Sequence, residues 1–498
     1  MSASLRLALL AGTMLAAQPA AAQESVEAAK IEALEKQIQA LQAQLDEVKK
    51  QLPKAVPSWR GAPQFEDKAD GWSFKPRGRM HYDTGYVGIP GDYAVNRNLG
   101  FGSKFRRMRI GAEGTMPGGF GYKVEVDFAN AQVSFGDIVG TWTNKPGTLA
   151  ITAGNFSTLS SLERITSSNV MTFQERSQMN DAFGHSRRLG VAAGIADAEG
   201  LWRFDAGAFA GETIDNSFDQ DGWIAAARAV YAPKALGGQL HFGVNYQHRE
   251  FQSNNGGTTS IAINAPSTNQ LARYRARPFT QITDVRFVDT GLFAARGDDV
   301  LGIELGGVFG SVYFSGEGQW VKVDGYRAGD IATGLDIFSN GNIAVVPAGD
   351  PTFFSGYGEI GWFITGEKRG YGQGAWQRTR VKNPLSKGGS GAFQLAARID
   401  WLDLDSGKLK NGPTNNFSTG ATSLAPVNAR LARGGTQMGY LLGLNWYPVD
   451  YIRFMLNYAR IEVEGGPFAA IVKPLSTAPI DERSYGTDFF ALRAQVEF

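Results

Sequence analysis

Three runs of cations recur at intervals of two residues: Lys75, Arg77 and Arg79; Arg107 and Arg109; and Arg273, Arg275 and Arg277. In an extended strand that spacing puts every member of a run on one face. Facing water, such a column can replace part of an anion's hydration without a binding pocket. One charge pair at 4 Å and a surface-like dielectric is worth about 4 kcal/mol before desolvation is subtracted. Several weak sites therefore suit conduction better than one deep one. Four further cations, Arg164, Arg176, Arg187 and Arg188, fall within 155–188, where Glu163 and Glu175 are also found.

Other uses of the same residues stay open. Arg107 and Arg109 are followed at once by Glu113, Glu125 and Asp127, and pairing with them would make only a solvated wall. Arg273, Arg275 and Arg277 follow an Asn-, Ser- and Thr-rich stretch and precede Pro278, which fits a loop boundary, an external basic patch or a lipopolysaccharide contact. Arg164 and Arg176 could brace their own segment through Glu163 and Glu175. Catalysis has little to build on. The histidines are His81, His185, His241 and His248, with no H-E-x-x-H or similar metal spacing. A Ser–His pair formed by His241 and an inward Ser is possible only loosely, so no enzyme activity and no cofactor or metal is expected.

The elements that would position these cations follow from periodicity. In 74–83, Phe74, Met80 and Tyr82 alternate with Lys75, Arg77, Arg79, His81 and Asp83. In 105–113, Met108, Ile110 and Ala112 alternate with Arg107, Arg109 and Glu113. Tyr122, Val124, Val126 and Phe128 then oppose Lys123, Glu125 and Asp127, and Leu240, Phe242, Val244 and Tyr246 oppose His241, Asn245 and Gln247. Soluble sheets also alternate; whole strands charged on the other face, in an exported chain, point to a barrel in lipid. Trp72, Trp202, Trp223, Trp362, Trp401 and Trp446 fall at strand ends, as interfacial girdles require.

Export is read from the first residues: Arg6, the apolar stretch Leu7 to Leu15, and Ala20-Ala21-Ala22 before Gln23 predict a signal peptide over 1–22. The stretch is too short for a spanning helix. Cleavage removes only Arg6 from 49 basic and 48 acidic residues, so the mature chain is neutral and a nucleic-acid partner is excluded. Cysteine is absent and glycine numbers 63 of 498 residues, which excludes a disulfide framework and favours many turns. Ile31, Leu34, Ile38, Leu41, Leu45, Val48 and Leu52 form a heptad seam. Either a periplasmic coiled coil over 23–52 that joins subunits or a single amphipathic helix satisfies it. Pro53, Pro57 and Pro63 end it and open a polar linker over 53–72.

At the other end Phe490, Leu492, Ala494, Val496 and Phe498 alternate with Ala491, Arg493, Gln495 and Glu497 to the last residue. A terminal strand ending in Phe resembles the assembly signal of bacterial outer-membrane proteins and predicts recognition of Phe498 by the barrel-assembly machinery. The span 73–498, with strands of roughly 10 residues, accommodates about 16 of them. The fold expected is all-β, a transmembrane antiparallel β-barrel of about 16 strands, preceded by a short coiled-coil helix.

The stretches FRRMRIGAEGT (105–115), GYKVEVDFA (121–129), SLERITSSNVMTFQERS (161–177), RRLGV (187–191), FVDTG (287–291), FSGYGEIGWFITGE (354–367), AFQLAARIDWLDLD (392–405) and NWYPVDYIRFMLNYA (445–459) resemble, in content and order, the phosphate-selective porin O and P family. The resemblance implies a trimer of water-filled barrels in outer-membrane lipid, each narrowed by an inward loop lined with arginines. Segment 155–188 holds the place of that loop. The reading is then a passive diffusion channel preferring small anions, phosphate or related oxyanions. The alternatives are a general or organic-solute porin of the same fold and a structural tether working through the coiled coil. Segments 251–272, 327–352 and 408–436 read as external loops.

Overall fold

The structure, a computed structural model, describes residues 31–44, 58–67, 69–91, 99–131, 133–214, 222–251, 270–291, 293–325, 338–339, 342–343, 347, 349–410, 434–473 and 475–498. The chain divides into two units, Met1–Pro57 and Ser58–Phe498. In the first, residues 31–44 are helical, and the seam residues Ile31, Leu34, Ile38 and Leu41 are each more than half exposed. Lys36 and Glu32, one turn apart, form an ion pair at 2.9 Å, worth a few tenths of a kcal/mol. The signal peptide over 1–22 and the seam residues Leu45, Val48 and Leu52 lie outside the described residues.

The second unit is a barrel of sixteen antiparallel strands. In chain order they are β1 (Trp72–Val87), β2 (Gly100–Met116), β3 (Phe120–Asp127), β4 (Ser134–Thr143), β5 (Leu149–Ser157), β6 (Arg187–Ala196), β7 (Trp202–Ala210) and β8 (Trp223–Tyr231). They continue as β9 (Gly238–Glu250), β10 (Phe293–Phe309), β11 (Val312–Gly325), β12 (Thr352–Phe363), β13 (Ala392–Asp403), β14 (Thr436–Val449), β15 (Ile452–Glu464) and β16 (Ser484–Glu497). Each pairs with its successor, and β16 closes on β1 from Phe489↔Val87 to Glu497↔Arg79. Closure satisfies the edge strands, the condition for a sheet in lipid.

Gly78 and Phe498 fasten the seam by exchanging backbone hydrogen bonds at 3.0 and 3.1 Å. A Cβ on Gly78 would lie 2.0 Å from the Phe498 ring, so glycine is what lets the terminal aromatic lie flat on β1. Half of the stretch expected as a linker is also structured: Ser58–Arg60 pairs with Ala62–Asp67, which adds to the start of β1 through Phe65↔Phe74 and Asp67↔Trp72.

Parity along the strands is as the alternation requires. Ile110, Leu305, Ile360, Leu395, Leu442 and Leu492 are exposed on the outer face. Asp83, Arg228, Glu304, Arg398 and Arg493 are buried on the inner one. Aromatics ring the outside at both strand ends. Trp202 stacks on Tyr231 and Trp446 on Phe454 near the short turns, and Trp320, Phe354 and Trp401 pack in a row near the long loops.

Candidate functional site

Segment 158–186, between β5 and β6, turns into the lumen. It carries two short helices, α1 (Leu162–Ile165) and α2 (Gln178–Ala182). Ser161 caps α1 by accepting the Arg164 N–H at 3.0 Å. Glu317 on β11 accepts the N–H groups of Leu162 and Glu163 at 2.8 and 2.9 Å, the donors a helix start leaves free. Further along, Asn445 donates to the Thr172 carbonyl at 2.9 Å, Gln174 N–H donates to Asn457 at 2.9 Å, and Gln495 donates to the Asn169 carbonyl at 3.0 Å. Arg249 binds the Phe183 carbonyl at 2.6 Å and Arg398 pairs with Glu163 at 2.7 Å. Every one of these partners is on β9–β16. The segment therefore leans on that half of the wall, with Arg79 of β1 reaching back to Ser168 at 2.9 Å and Arg106 of β2 to Glu175 at 2.7 Å.

A second segment, 364–391, enters from the short-turn end between β12 and β13. Arg369 pairs with Glu359 at 3.1 Å and donates to Thr172 of the crossing segment at 2.9 Å. Its guanidinium is held between the rings of Tyr313 and Trp376, 4.2 and 4.4 Å from their centroids. Trp376 and Ala375 bury Leu162 of α1. The far half of the lumen is thus occupied from both ends.

What stays open lies against β1–β7, a cavity of about 510 Å³. From the wall it is lined by Arg79, Arg107, Arg109, Lys123, Arg187 and Arg203, with Arg106 beside them; the crossing segment adds Arg164 and Arg176. Five carboxylates pair with members of this set. Glu125 takes Arg79 and Arg109, each at 2.7 Å, and Asp127 takes Arg109 at 2.7 Å. Asp137 joins Arg187 and Lys123. Glu175 takes Arg106 at 2.7 Å and Asp205 takes Arg203 at 2.7 Å. Nine cations against five carboxylates leave a surplus of four.

Arg107, Arg164 and Arg176 have no carboxylate partner among the described residues. Arg107 reaches only His81 Nδ1, at 3.3 Å. Arg164 donates to the Asn180 carbonyl at 2.8 Å, and Arg176 to the carbonyls of Glu163 and Thr166, each at 2.8 Å. Burial, then the neighbouring guanidinium of Arg176, brings Arg164 down to about 9. Burial brings Arg176 down to about 10, although the Glu163 carboxylate opposes the shift. Both stay charged at neutral pH. A smaller cavity shares Arg106, Arg164 and Arg176 with the first and adds, toward the long-loop end, Arg277 with its partner Asp181 at 3.5 Å.

The expected residues divide by position. Lys75, Arg77 and Arg79 run down the inner face of β1, with Arg77 paired to Glu113. Arg109 is paired on both sides, whereas Arg107 beside it is not. Arg187 lines the cavity, but Arg188 turns away, donating to the Gly211 carbonyl at 2.8 Å. Arg273, Arg275 and Arg277 do not share a lumen face. They belong to the β9–β10 connection, where Arg273 pairs with Asp289 at 2.5 Å, Arg275 is exposed and only Arg277 reaches the cationic lining. Their alternation reflects a two-residue bridge, Arg275–Ala276 against Val288–Asp289, not a wall strand.

Arg106 was missed by parity. A bulge opposite His81/Tyr82 gives β2 an extra residue, so that Arg106 and Arg107 both face inward while Phe105 and Met108 face out. Two adjacent cations flanked by outward apolar residues were the available signal. His241 binds Glu304 at 3.0 Å and the Tyr371 hydroxyl at 2.7 Å, so the loose Ser–His pair does not form among the described residues. No group able to hold a metal occurs among the described residues either.

The model of the family described as phosphate-selective porin O and P matches residues 74–465. An uncharacterised protein of Caulobacter vibrioides is 32% identical over 450 residues, covering 89% of this chain and 77% of its own. Solved structures with a similar course include an anion-selective porin from Comamonas acidovorans. It is 12% identical, with 86% of this chain and 100% of that one covered, at a TM-score of 0.45. OmpT of Vibrio cholerae in a trimer form is 10% identical over 86% of this chain and 100% of its own, at 0.44.

Proposed function

The chain belongs to the phosphate-selective porin O and P family, and from that premise we propose that this outer-membrane porin is a passive channel whose single passage per barrel runs between the crossing segment and β1–β7 and favours anions, oxyanions such as phosphate included. The observation that carries the anion preference is the surplus of four cations around the cavity. Arg107, Arg164 and Arg176 supply three of these four charges, and the fourth arises because six paired cations share five carboxylates. Arg277 marks the path toward the long-loop mouth, and Arg77 and Lys75 mark it toward the short-turn mouth. Those residues act as weak successive sites, not as one tight one.

Several parts of the reading concern assembly. The exposed Ile and Leu seam of helix 31–44 suits a periplasmic coiled coil between subunits, and a trimer follows as the working oligomer. The short-turn end, where Phe498 completes the last strand, faces the periplasm, and Phe498 is the contact for the barrel-assembly machinery. The outer face meets lipid, and its long-loop rim meets lipopolysaccharide. The chain works without a cofactor and catalyses nothing.

Reversal potential in a KCl gradient across a planar bilayer tests the central point. An anion sign is expected, together with a chloride current that falls when phosphate is added at millimolar levels. A cation sign would overturn the anion preference and leave the family assignment untouched.

A further inference from the structure

The cavity has two unlike walls. On β1–β3 and at Arg164 and Arg176 of the crossing segment it is cationic. On β4–β6, apart from the Asp137–Arg187 ion pair, the lining positions carry no charge: Val139, then Ala150 and Thr152, then Ala192 and Gly194. Phe156, Leu159 and Ile165 extend this surface at the cavity's edge, each half-buried with part of its side chain facing the open space. Phe156 and Leu159 lean on Phe209 and Ile224 from behind, so the apolar wall is fixed by packing.

We propose that the passage selects anions carrying an apolar body, such as aryl or alicyclic carboxylates and sulfonates, over bare oxyanions of the same charge. The inference rests on the anion reading above and narrows it. A small hydrated oxyanion pressed between the two walls finds guanidinium donors on one side and, on the other, hydrocarbon broken only by the Thr152 hydroxyl. Against Val139, Ala150 and Ile165 it loses hydration without replacement, which costs free energy. An organic anion does the opposite on the two sides: its carboxylate meets Arg107, Arg164 or Arg176, and its ring covers the apolar wall. The volume, about 510 Å³, lies within the range of about 300–1,000 Å³ typical of sites for small organic molecules. Covering about 60 Å² of a ring's apolar surface corresponds to about tenfold in occupancy.

Acetate, benzoate, cyclohexanecarboxylate and phosphate added to wild-type channels in KCl, each scored by the concentration that halves the chloride current, test this without any variant. Benzoate and cyclohexanecarboxylate are expected to act at concentrations about tenfold below acetate. The double substitution Val139→Thr with Ile165→Thr, which puts hydroxyls into this wall, is expected to bring the three carboxylates to within about twofold of one another. Its KCl reversal potential should stay unchanged. An anion-selective wild type on which the ring compounds act no better than acetate would overturn this inference alone. A folded double variant that keeps their advantage would overturn the assignment to this wall. A cation-selective wild type would overturn the anion preference on which it rests.

Discussion

If uncompensated charge sets the selectivity, an unpaired arginine and a paired one differ in a calculable way. The cavity of about 510 Å³ equals a sphere of about 5 Å radius, so an ion at its centre is about 5 Å from a lining charge. In a water-like dielectric that separation gives about 0.8 kcal/mol. Screening at 0.1 M salt, where the Debye length is about 10 Å, leaves about 0.5 kcal/mol. The same charge repels a cation as much as it attracts an anion, so the permeability ratio moves by about 1 kcal/mol, or about fivefold. Arg107→Gln should therefore lower the anion-to-cation ratio about fivefold. Its fold should be retained, because the side chain gives up only a contact with His81. Arg187→Gln combined with Asp137→Asn removes one cation and one carboxylate, which Lys123 also shares, and, with the net charge unchanged, should change the ratio by less than about twofold. Reversal potentials of the three channels at one salt gradient decide it. Equal shifts from the single and the paired substitution, in barrels of normal heat-modifiability, would refute the argument from surplus charge.

Other elements make independent predictions. Glu317→Ala strips two acceptors from the start of α1, a loss of about 2 kcal/mol, and single-channel conductance should rise and fluctuate while the barrel still folds. Unchanged conductance would show that the crossing segment is held without Glu317. Gly78→Val drives a side chain into the Phe498 ring and should reduce the yield of heat-modifiable barrel, as should Phe498→Ser, more than Lys145→Ser in the β4–β5 turn does; equal yields would contradict it. Deleting residues 24–52 should lower the melting point of the oligomer in semi-native electrophoresis yet leave insertion intact, since the barrel closes its own hydrogen bonds. An unchanged melting point would remove the helix from assembly.

Strand parity was legible because the two faces meet opposite solvents. Lys75, Arg77 and Arg79 could be placed on one side of β1 from spacing alone, and the closing role of Phe498 from its terminal alternation. Register was not legible where a bulge intervenes, which is why Arg106 escaped while Arg107 and Arg109 could be placed on one face. Segment 155–188 could be located, but its path could not. Its partners Glu317, Asn445, Asn457 and Gln495 are remote in sequence, and each alone is an ordinary polar residue. The inward course of 364–391 left no periodic trace at all, since it is held by the ion pairs and ring contacts of Arg369 and by Arg378, which pairs with Glu497 and lies over Tyr451. Arg273 and Arg275 show the converse failure: alternation over a few residues in a loop imitates a wall strand.

The distribution of acids explains how a chain with a formal net charge of +1 can present a strongly cationic passage. Glu163, Glu304, Glu317, Glu359 and Asp400 are all buried on the filled side of the lumen. There Arg228 pairs with Glu304 at 2.6 Å, and Arg398 with Glu359 at 2.6 Å and Glu163 at 2.7 Å. Glu163, Glu304 and Glu359 neutralise these arginines, while Glu317 and Asp400 accept from the backbone of the crossing segment, so they are spent where no ion passes. The same number of acids spread evenly around the barrel would cancel the field at Arg107, Arg164 and Arg176. Moving one of them is therefore equivalent to removing a cation. A carboxylate introduced on the open side, as in Thr152→Glu, should lower the anion-to-cation ratio by the same factor of about five as Arg107→Gln. Glu304→Gln, which alters net charge on the filled side, should leave the ratio within about twofold, because its charge lies behind protein and not in the ion's path. Bilayer recordings in which Glu304→Gln matched Thr152→Glu in size would mean that total charge, and not its placement, governs the channel.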